Sequence, residues 1–570
     1  MAESRRIVAR GGHALKLGWR AGRRSLRRGW TEARDALRRQ GPTAVQFWLL
    51  ALGLGIAAGY AAIGFRLSIS QLQTLIYGAD DLRLHTHLTG LGPAVVVGVP
   101  ILGGLAVGVI LQLFTSDGKA RSVAHVIEAS ALRDGRVPLR SGLASAAASL
   151  ITLSTGGSTG REGPVVHLAA TISSWVSERI DASPMTSREM LGCAVAAAVS
   201  ASFNAPIAGA VFALEVVLRH FAMKAFAPIV VASVAGAVVS RIHMGDVTEF
   251  VLPEHTLGFY QELPAFLILG MISGLVAVAM MKAIFVAERA GDRVQGSLRI
   301  PGWLRPGVAG LLLGLIALRF PHIIGVGYET TSRALTVDVG FLEAILFAMV
   351  KVVAVAITFA GRMGGGVFSP ALMLGALTGL AFGYVAVGIF PAVSGSEALY
   401  AIAGTGAVAA AVLGAPLSTT LIIFELTGDW QAGIAVMASV SLAVVVSARF
   451  VDKSFFLDQL ERRDVHLAEG PQSWIPGTIA VRDCMRMRGD ENGASDSACW
   501  ALVEQGAALE RGDTLATALP MFERSAGRAM IPVVERDADA RPELIGALFH
   551  VDALRAYNRA LVETHREEHA

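Results

Sequence analysis

The segment "AVAAAVSASFNAPIAGAVFALE" (Ala194 to Glu215) returns in shorter form as "AVAAAVLGAPLSTTLIIFE" (Ala407 to Glu425). In both copies an AVAAAV hexapeptide is followed by an Ala-Pro pair, and a glutamate stands nine residues after the proline. Each copy also follows a glycine-rich break that ends in proline, "GREGP" at 160–164 and "GGGVFSP" at 364–370. Two features repeated in the same order predict a chain built from two related halves. Halves with interrupted helices are the pattern of transport proteins whose site lies near the bilayer midplane, between the repeats.

Composition places those halves in lipid. Mean hydropathy is +0.54, hydrophobic residues make up 53% of the 570 and charged residues only 17%, a balance that excludes an ordinary soluble enzyme. Apolar runs recur at 44–69, 91–113, 266–286, 308–317, 341–360 and 433–447. Several are too short to span or are cut by Gly and Pro, so the expected fold is an all-α polytopic membrane protein with broken and re-entrant helices lining a cavity. The first 43 residues are a basic arm, retained on the cytosolic side by the excess of Lys and Arg over acids or lying as an amphipathic helix on anionic lipid. The membrane part is expected over 44–460, a linker over 461–478, and a small α/β cytosolic domain over 479–570, where charge becomes frequent. Cys193, Cys484 and Cys499 are widely spaced and match no metal pattern.

Arg161 and Glu162 stand inside the first break. A glycine-rich break just before a proline in a first helical turn leaves backbone N–H groups and the positive end of a helix dipole facing the break, and both favour an anion. Two such half-helices meeting from the two repeats would form an anion cradle, and the Glu162 carboxylate could occupy it. An ionisable residue at mid-membrane costs on the order of 2.5 to 3.5 kcal/mol and is normally offset by a pathway or a partner. A structural Arg161–Glu162 pair, or snorkelling to an interface, is the plainer alternative.

Over roughly residues 45 to 460 the chain resembles the CLC chloride channels and chloride/proton antiporters, through "GREGP", "FNAPIAGAVFALE" and "GGGVFSP" in that order. The resemblance implies two inverted-topology repeats and a homodimer with one anion pore per subunit. It also implies an integral protein of the cytoplasmic membrane with both termini cytosolic, chloride as the transported ligand, and Glu162 as the gate. Gly160, Arg161 and Gly163 would belong to the first cradle, and Val367 and Phe368 would supply amides in the second. Membrane lipid is the only other partner implied, and no nucleic acid.

Three departures bear on mechanism. The family's inner serine motif falls at "ARSVA" (120–124), with Arg121 aligned to the serine, either as a charge-assisted donor to the anion or facing the wet vestibule. The inner tyrosine falls at Phe456, with Phe455 beside it. The antiporters' inner proton acceptor falls at Val216, next to Glu215, which is expected to be a structural carboxylate repeated at Glu425; His220 lies about one turn further on.

The tail, with "MIPVVE" and "LIGALFH" as strands, resembles a CBS domain, a fold that pairs and can bind adenine nucleotides. Phe549 stands where a ribose-side Thr or Ser is expected near Asp552. A lone unit would leave an apolar face uncovered, so two tails are expected to pair across the dimer, with the 544–549 strand at their contact. The expected function is passive, Glu162-gated chloride conduction. Proton-coupled chloride exchange, transport of another anion such as fluoride, and an intramembrane hydrolase using Ser158 and His167 are the alternatives.

Overall fold

The computed structural model describes residues 44–80, 83–219, 223–245, 261–391, 393–463, 465, 467, 475–490, 493–524, 528–536 and 542–569. The basic arm, His220 and half of the linker lie outside the described residues.

The first half runs α1 (Ala44–Tyr77), α2 (Leu84–Leu88), α3 (Pro93–Phe114), α4 (Val123–Leu132), α5 (Leu139–Thr155), α6 (Glu162–Arg179), α7 (Pro184–Phe203), α8 (Pro206–Phe212) and α9 (Met223–Met244). A π-helical turn, Ala213–Leu218, continues α8. The second half runs α10 (Leu263–Leu298), α11 (Arg305–Ala317), α12 (Tyr328–Leu335), α13 (Phe341–Ala360), α14 (Phe368–Ile389), α15 (Glu397–Leu413), α16 (Pro416–Thr427), α17 (Trp430–Phe450) and α18 (Phe455–Glu461). Among the described residues seven helices are long and apolar enough to cross a membrane. The shorter ones, including α8, α15 and α16, are the broken helices that the Gly and Pro punctuation predicts.

The repeat in sequence is a repeat in structure. α7 ends on Asn204 at φ +55°, and α15 ends on Gly414 at φ +67°. These left-handed caps use residues that tolerate that region. In each, the next amide reaches back over the last turn, Ala205 N to Ser200 O at 3.2 Å and Ala415 N to Ala410 O at 3.2 Å, the closing bond of a Schellman motif. A proline then opens the next helix at Pro206 or Pro416, where its missing N–H costs nothing. The AVAAAV runs sit in the middle of the molecule, and Ala194–Val199 and Ala407–Val412 are buried throughout. Helices apolar on every side belong in such a position. Between α14 and α15 the backbones touch, because a Cβ on Gly379 would overlap the Tyr400 carbonyl. Small residues permit this approach where water offers no drive to associate.

The tail comprises α19 (Ile475–Thr478), α20 (Val481–Cys484), β1 (Arg486–Met487), α21 (Asp496–Glu504), β2 (Leu509–Glu510), α22 (Leu515–Arg524), β3 (Met530–Arg536), β4 (Pro542–Phe549) and α23 (His550–His569). Its sheet order is β1-β4-β3-β2, with β3–β4 antiparallel and β2–β3 parallel. Strand β4 is therefore internal. Leu544, Ala547 and Leu548 are buried inside the subunit, which corrects the expectation that this strand presents the pairing face. Among the described residues the exposed large apolar side chains of the tail are instead Met487 on β1, Trp500 on α21, and Val551, Leu554 and Val562 on α23. Asp552 accepts a hydrogen bond from Arg486 Nε at 2.7 Å, and that guanidinium lies over the Phe549 ring at 4.1 Å. Gly477 packs beside the carbonyl of Ala131, which brings α19 against the end of α4.

Candidate anion site

The two breaks meet. Gly160 N donates to Gly366 O at 2.7 Å, and Gly366 N donates to Gly160 O at 2.8 Å. Around this pair Thr159 Oγ1 donates to Gly366 O at 2.9 Å, Ser158 N donates to Thr358 Oγ1 at 3.1 Å, and Ser158 bridges to Gly325. Helices α6 and α14 therefore start side by side with their N-termini converging, as the repeat predicts.

Glu162 is the first residue of α6 and is buried, at 3% exposure. Its carboxylate crosses to the other repeat, where Ser369 Oγ donates to both oxygens at 2.6 Å and Tyr328 Oη donates to Oε1 at 2.8 Å. Ser369 lies in the first turn of α14, so the carboxylate stands at that helix's positive end, a place suited to a free anion. Gly160 makes room for it, since a Cβ there would come within 2.7 Å of Glu162 Oε2.

Arg161 is buried beside Glu162, its guanidinium 4.7 Å from the Tyr328 ring centroid and its Nε 4.0 Å from Glu162 Oε1. Both side chains are buried, so neither snorkels to an interface. Arg161 and Glu162 are neighbours, yet the carboxylate's hydrogen bonds go to Tyr328 and Ser369.

Inward of Glu162 lies a cavity of about 20 Å³, room for one water-sized particle. Glu162, Gly163, Val367, Phe368, Ser122, Phe455 and Phe456 are among the residues that line it. Of the residues singled out in the sequence, Glu162, Gly163, Val367, Phe368, Phe455 and Phe456 converge here. Gly160 does not, because its amide is spent on Gly366. Arg121 does not either. Its guanidinium binds Asp117 at 3.0 and 3.1 Å and lies 3.0 Å from His125 Nε2. The serine that lines the cavity on this segment is Ser122, one residue further on, placed at the N-cap of α4 by a capping box with His125.

Val216 is buried in the π-helical turn and lines neither this cavity nor the vestibule inward of it. Ser158 and His167 form no nucleophile–base pair, since among the described residues Ser158 Oγ has no hydrogen-bond partner and the His167 ring faces His125 at 6.4 Å. Ser122, Tyr328 and Ser369 were not anticipated. The serine-proline ending of "GGGVFSP" and the glycines before Tyr328 are the local signals that could have pointed to the last two.

A family model described as voltage gated chloride channel matches residues 103–448. The chain belongs to the voltage-gated chloride channel family. A chloride channel protein of Ralstonia nicotianae described as ClcB-like is 32% identical over 67% of this chain and 89% of its own. Among solved structures, a slow cyanobacterial Cl⁻/H⁺ antiporter superposes with a TM-score of 0.64 at 21% identity, over 73% of this chain and 97% of that one. A eukaryotic CLC transporter does so at 0.61 and 18% identity, over 90% of this chain and 88% of that one. At such identities the likeness is one of fold, and it fits two inverted repeats of broken helices followed by a small α/β unit.

Proposed function

We propose that the chain conducts chloride passively across the cytoplasmic membrane through a pore gated by Glu162, one pore in each subunit of a homodimer. The observation that carries this reading is the Glu162 carboxylate lying in the anion's place at the start of α14, directly outside a cavity lined by Gly163, Val367, Phe368, Ser122 and Phe456. Protonation removes the charge that holds the carboxylate at a helix N-terminus, so a neutral Glu162 yields its place to chloride. The Val367 and Phe368 amides are the anion's donors, joined by the Ser122 hydroxyl when it turns from Gln459 Oε1, to which it donates at 3.3 Å, and Phe456 supplies an aromatic constriction without a hydroxyl. The tail packing against α4 and the cationic mouth formed by Arg289, Arg462 and Arg463 on the same side support a cytosolic C-terminus.

Passive conduction follows from position 216, where a valine outside both cavities offers no proton acceptor for obligatory exchange. Full-length protein in liposomes, under imposed chloride and pH gradients, should show a reversal potential that follows chloride and ignores pH. A fixed proton-to-chloride ratio would replace this reading with proton-coupled exchange.

A further inference from the structure

Arg305 belongs to two walls, that of the charged vestibule inward of the anion cavity and that of a separate apolar crevice of about 220 Å³. Three helices line the crevice with small residues: Ala287, Ala290 and Gly291 of α10, Ala309 of α11, and Ala360 of α13 with Gly361 after it. Where glycine allows it the helices touch, because a Cβ on Gly361 would fall 2.3 Å from the Ala309 Cβ, and one on Gly291 would fall 3.1 Å from the Ala360 carbonyl. Elsewhere the space between them stays unfilled. Ala290, Val294, Val308 and Leu312 of its lining are exposed, so the crevice opens to the outside of the bundle. Helices α10 and α13 are both long and apolar enough to cross a membrane, and outside them lies lipid.

Water has little to bond in this crevice. Among the described residues its polar side chains are Gln295 and Arg305, and Arg305 Nη1 donates to Gln295 Oε1 at 2.8 Å. The same guanidinium is further spent on Ala360 O at 2.6 Å, on Glu288 O at 3.3 Å and on Asp292. Hydrocarbon restores the contacts that an apolar void forfeits. Arg299, next to the lining residue Ile300, is exposed and among the described residues unpaired. The segment 293–305 carries Arg293, Arg299 and Arg305 and no acid, and Trp303, 39% exposed, stands on the turn between α10 and α11. An exposed tryptophan beside unpaired arginine is the pattern of the headgroup boundary, and the positive charge complements an anionic headgroup.

We propose that the crevice holds one acyl chain of an anionic phospholipid from the leaflet on the vestibule's side, with the headgroup phosphate at Arg299. The chain lies against Ala360 and Gly361, where α13 gives way to the 364–370 break, and against Arg305, whose bonds to Asp292 and Ala360 form part of the vestibule wall. Bound lipid thus braces that wall from the membrane side. The site is independent of the role given to Glu162.

The test uses full-length protein in liposomes doped with phosphatidylglycerol that carries a diazirine on one acyl chain, or with phosphatidylcholine bearing the same chain. After illumination, lipid adducts are mapped by mass spectrometry. They should concentrate on 287–294 and 308–312 and form about fivefold more with phosphatidylglycerol, the effect of one arginine near the headgroup. Ala290→Phe fills the crevice from its exposed edge and should abolish them. Arg299→Gln, an exposed change that keeps the test decisive if the phenylalanine variant misfolds, should retain the adducts and lose the headgroup preference. Glu162→Gln should leave the labelling unchanged, so the gate reading can fail without touching this one. Adducts spread equally over Leu49, Leu52 and Ile56, the exposed face of α1, would show annular lipid only and overturn the proposal. Undiminished crevice labelling in folded Ala290→Phe, or a headgroup preference that survives Arg299→Gln, would overturn it as well.

Discussion

Glu215 and Glu425 cap each other's repeat. Glu215 accepts hydrogen bonds from Leu417 N at 3.0 Å, from Ser418 N at 2.8 Å and from the Ser418 hydroxyl, at the start of α16. Glu425 accepts from Ile207 N at 3.0 Å and Ala208 N at 2.8 Å, at the start of α8. Each carboxylate ends one broken helix and neutralises the orphan amides of the other. Glu215 is thereby committed to structure, which removes the residue beside Val216 as a proton carrier.

Removing either cap should therefore destabilise without altering selectivity. Glu215→Ala and Glu425→Ala should each cost about 1–2 kcal/mol, the range of a lost N-cap, and appear as lower Tm in detergent. Anion ranking of the folded fraction, read from reversal potentials, should match the parent. A shifted ranking would place these carboxylates in the pathway.

At the gate, Glu162→Gln keeps the shape that Ser369 and Tyr328 grip and deletes the charge. Chloride flux from liposomes should rise about tenfold, equivalent to about 1.4 kcal/mol of lost competition, and its dependence on external pH should flatten. Flux and pH response equal to the parent would leave Glu162 a purely structural residue.

The inner donor is assigned to Ser122 rather than Arg121, so the two substitutions should separate. Ser122→Ala removes a hydroxyl from the cavity wall and should weaken chloride binding, measured by calorimetry, by ~1.5–3 kcal/mol, the value of a hydrogen bond to a charged group. Arg121→Ser frees Asp117 in the vestibule and should lower conductance in a way that added salt screens, with the chloride, nitrate and fluoride ranking intact. A reordered ranking in Arg121→Ser would return that residue to the anion.

In the tail, burial first, and then the carboxylates of Asp483 and Asp552, push the Cys484 thiol up to about 11. A raised thiol pKa means less thiolate at neutral pH, so maleimide labelling of Cys484 at pH 8 should run about 100-fold slower than that of an unperturbed thiol. The rate should climb as pH rises toward 11 and become ordinary once the tail is unfolded in urea. Rapid labelling at pH 7 would show Cys484 outside the packed environment described above.

Much of this architecture was legible because glycine and proline act locally. The breaks at 160–164 and 364–370, and the Asn204-Ala-Pro and Gly414-Ala-Pro junctions, announce helix ends through backbone constraints that need no distant partner. The misplacement at Arg121 has the complementary cause. "ARSVA" lacks the glycines and proline that mark its register, and the capping box that puts Ser122 at the helix start depends on His125 folding back onto it. Tyr328 and Ser369 reach Glu162 from 166 and 207 residues away, a proximity that no periodicity encodes. The cross-repeat caps are similar: the repeat identifies Glu215 and Glu425 as equivalents, but only the folded chain shows that each serves the other half.

The reciprocal bonds between Gly160 and Gly366 also bear on how fast the gate can act. With the two breaks stapled to each other, and Ser158 and Thr159 tied to Thr358, Gly325 and Gly366, the doorframe around Glu162 has no hinge. On the proposed reading of Glu162 as the gate, opening requires only that one carboxylic side chain swing out of its socket, a movement on the scale of rotamer changes rather than of domain rotation. Single-pore openings should accordingly be abrupt, and disulfides that lock α6 to α14 should leave them uninterrupted.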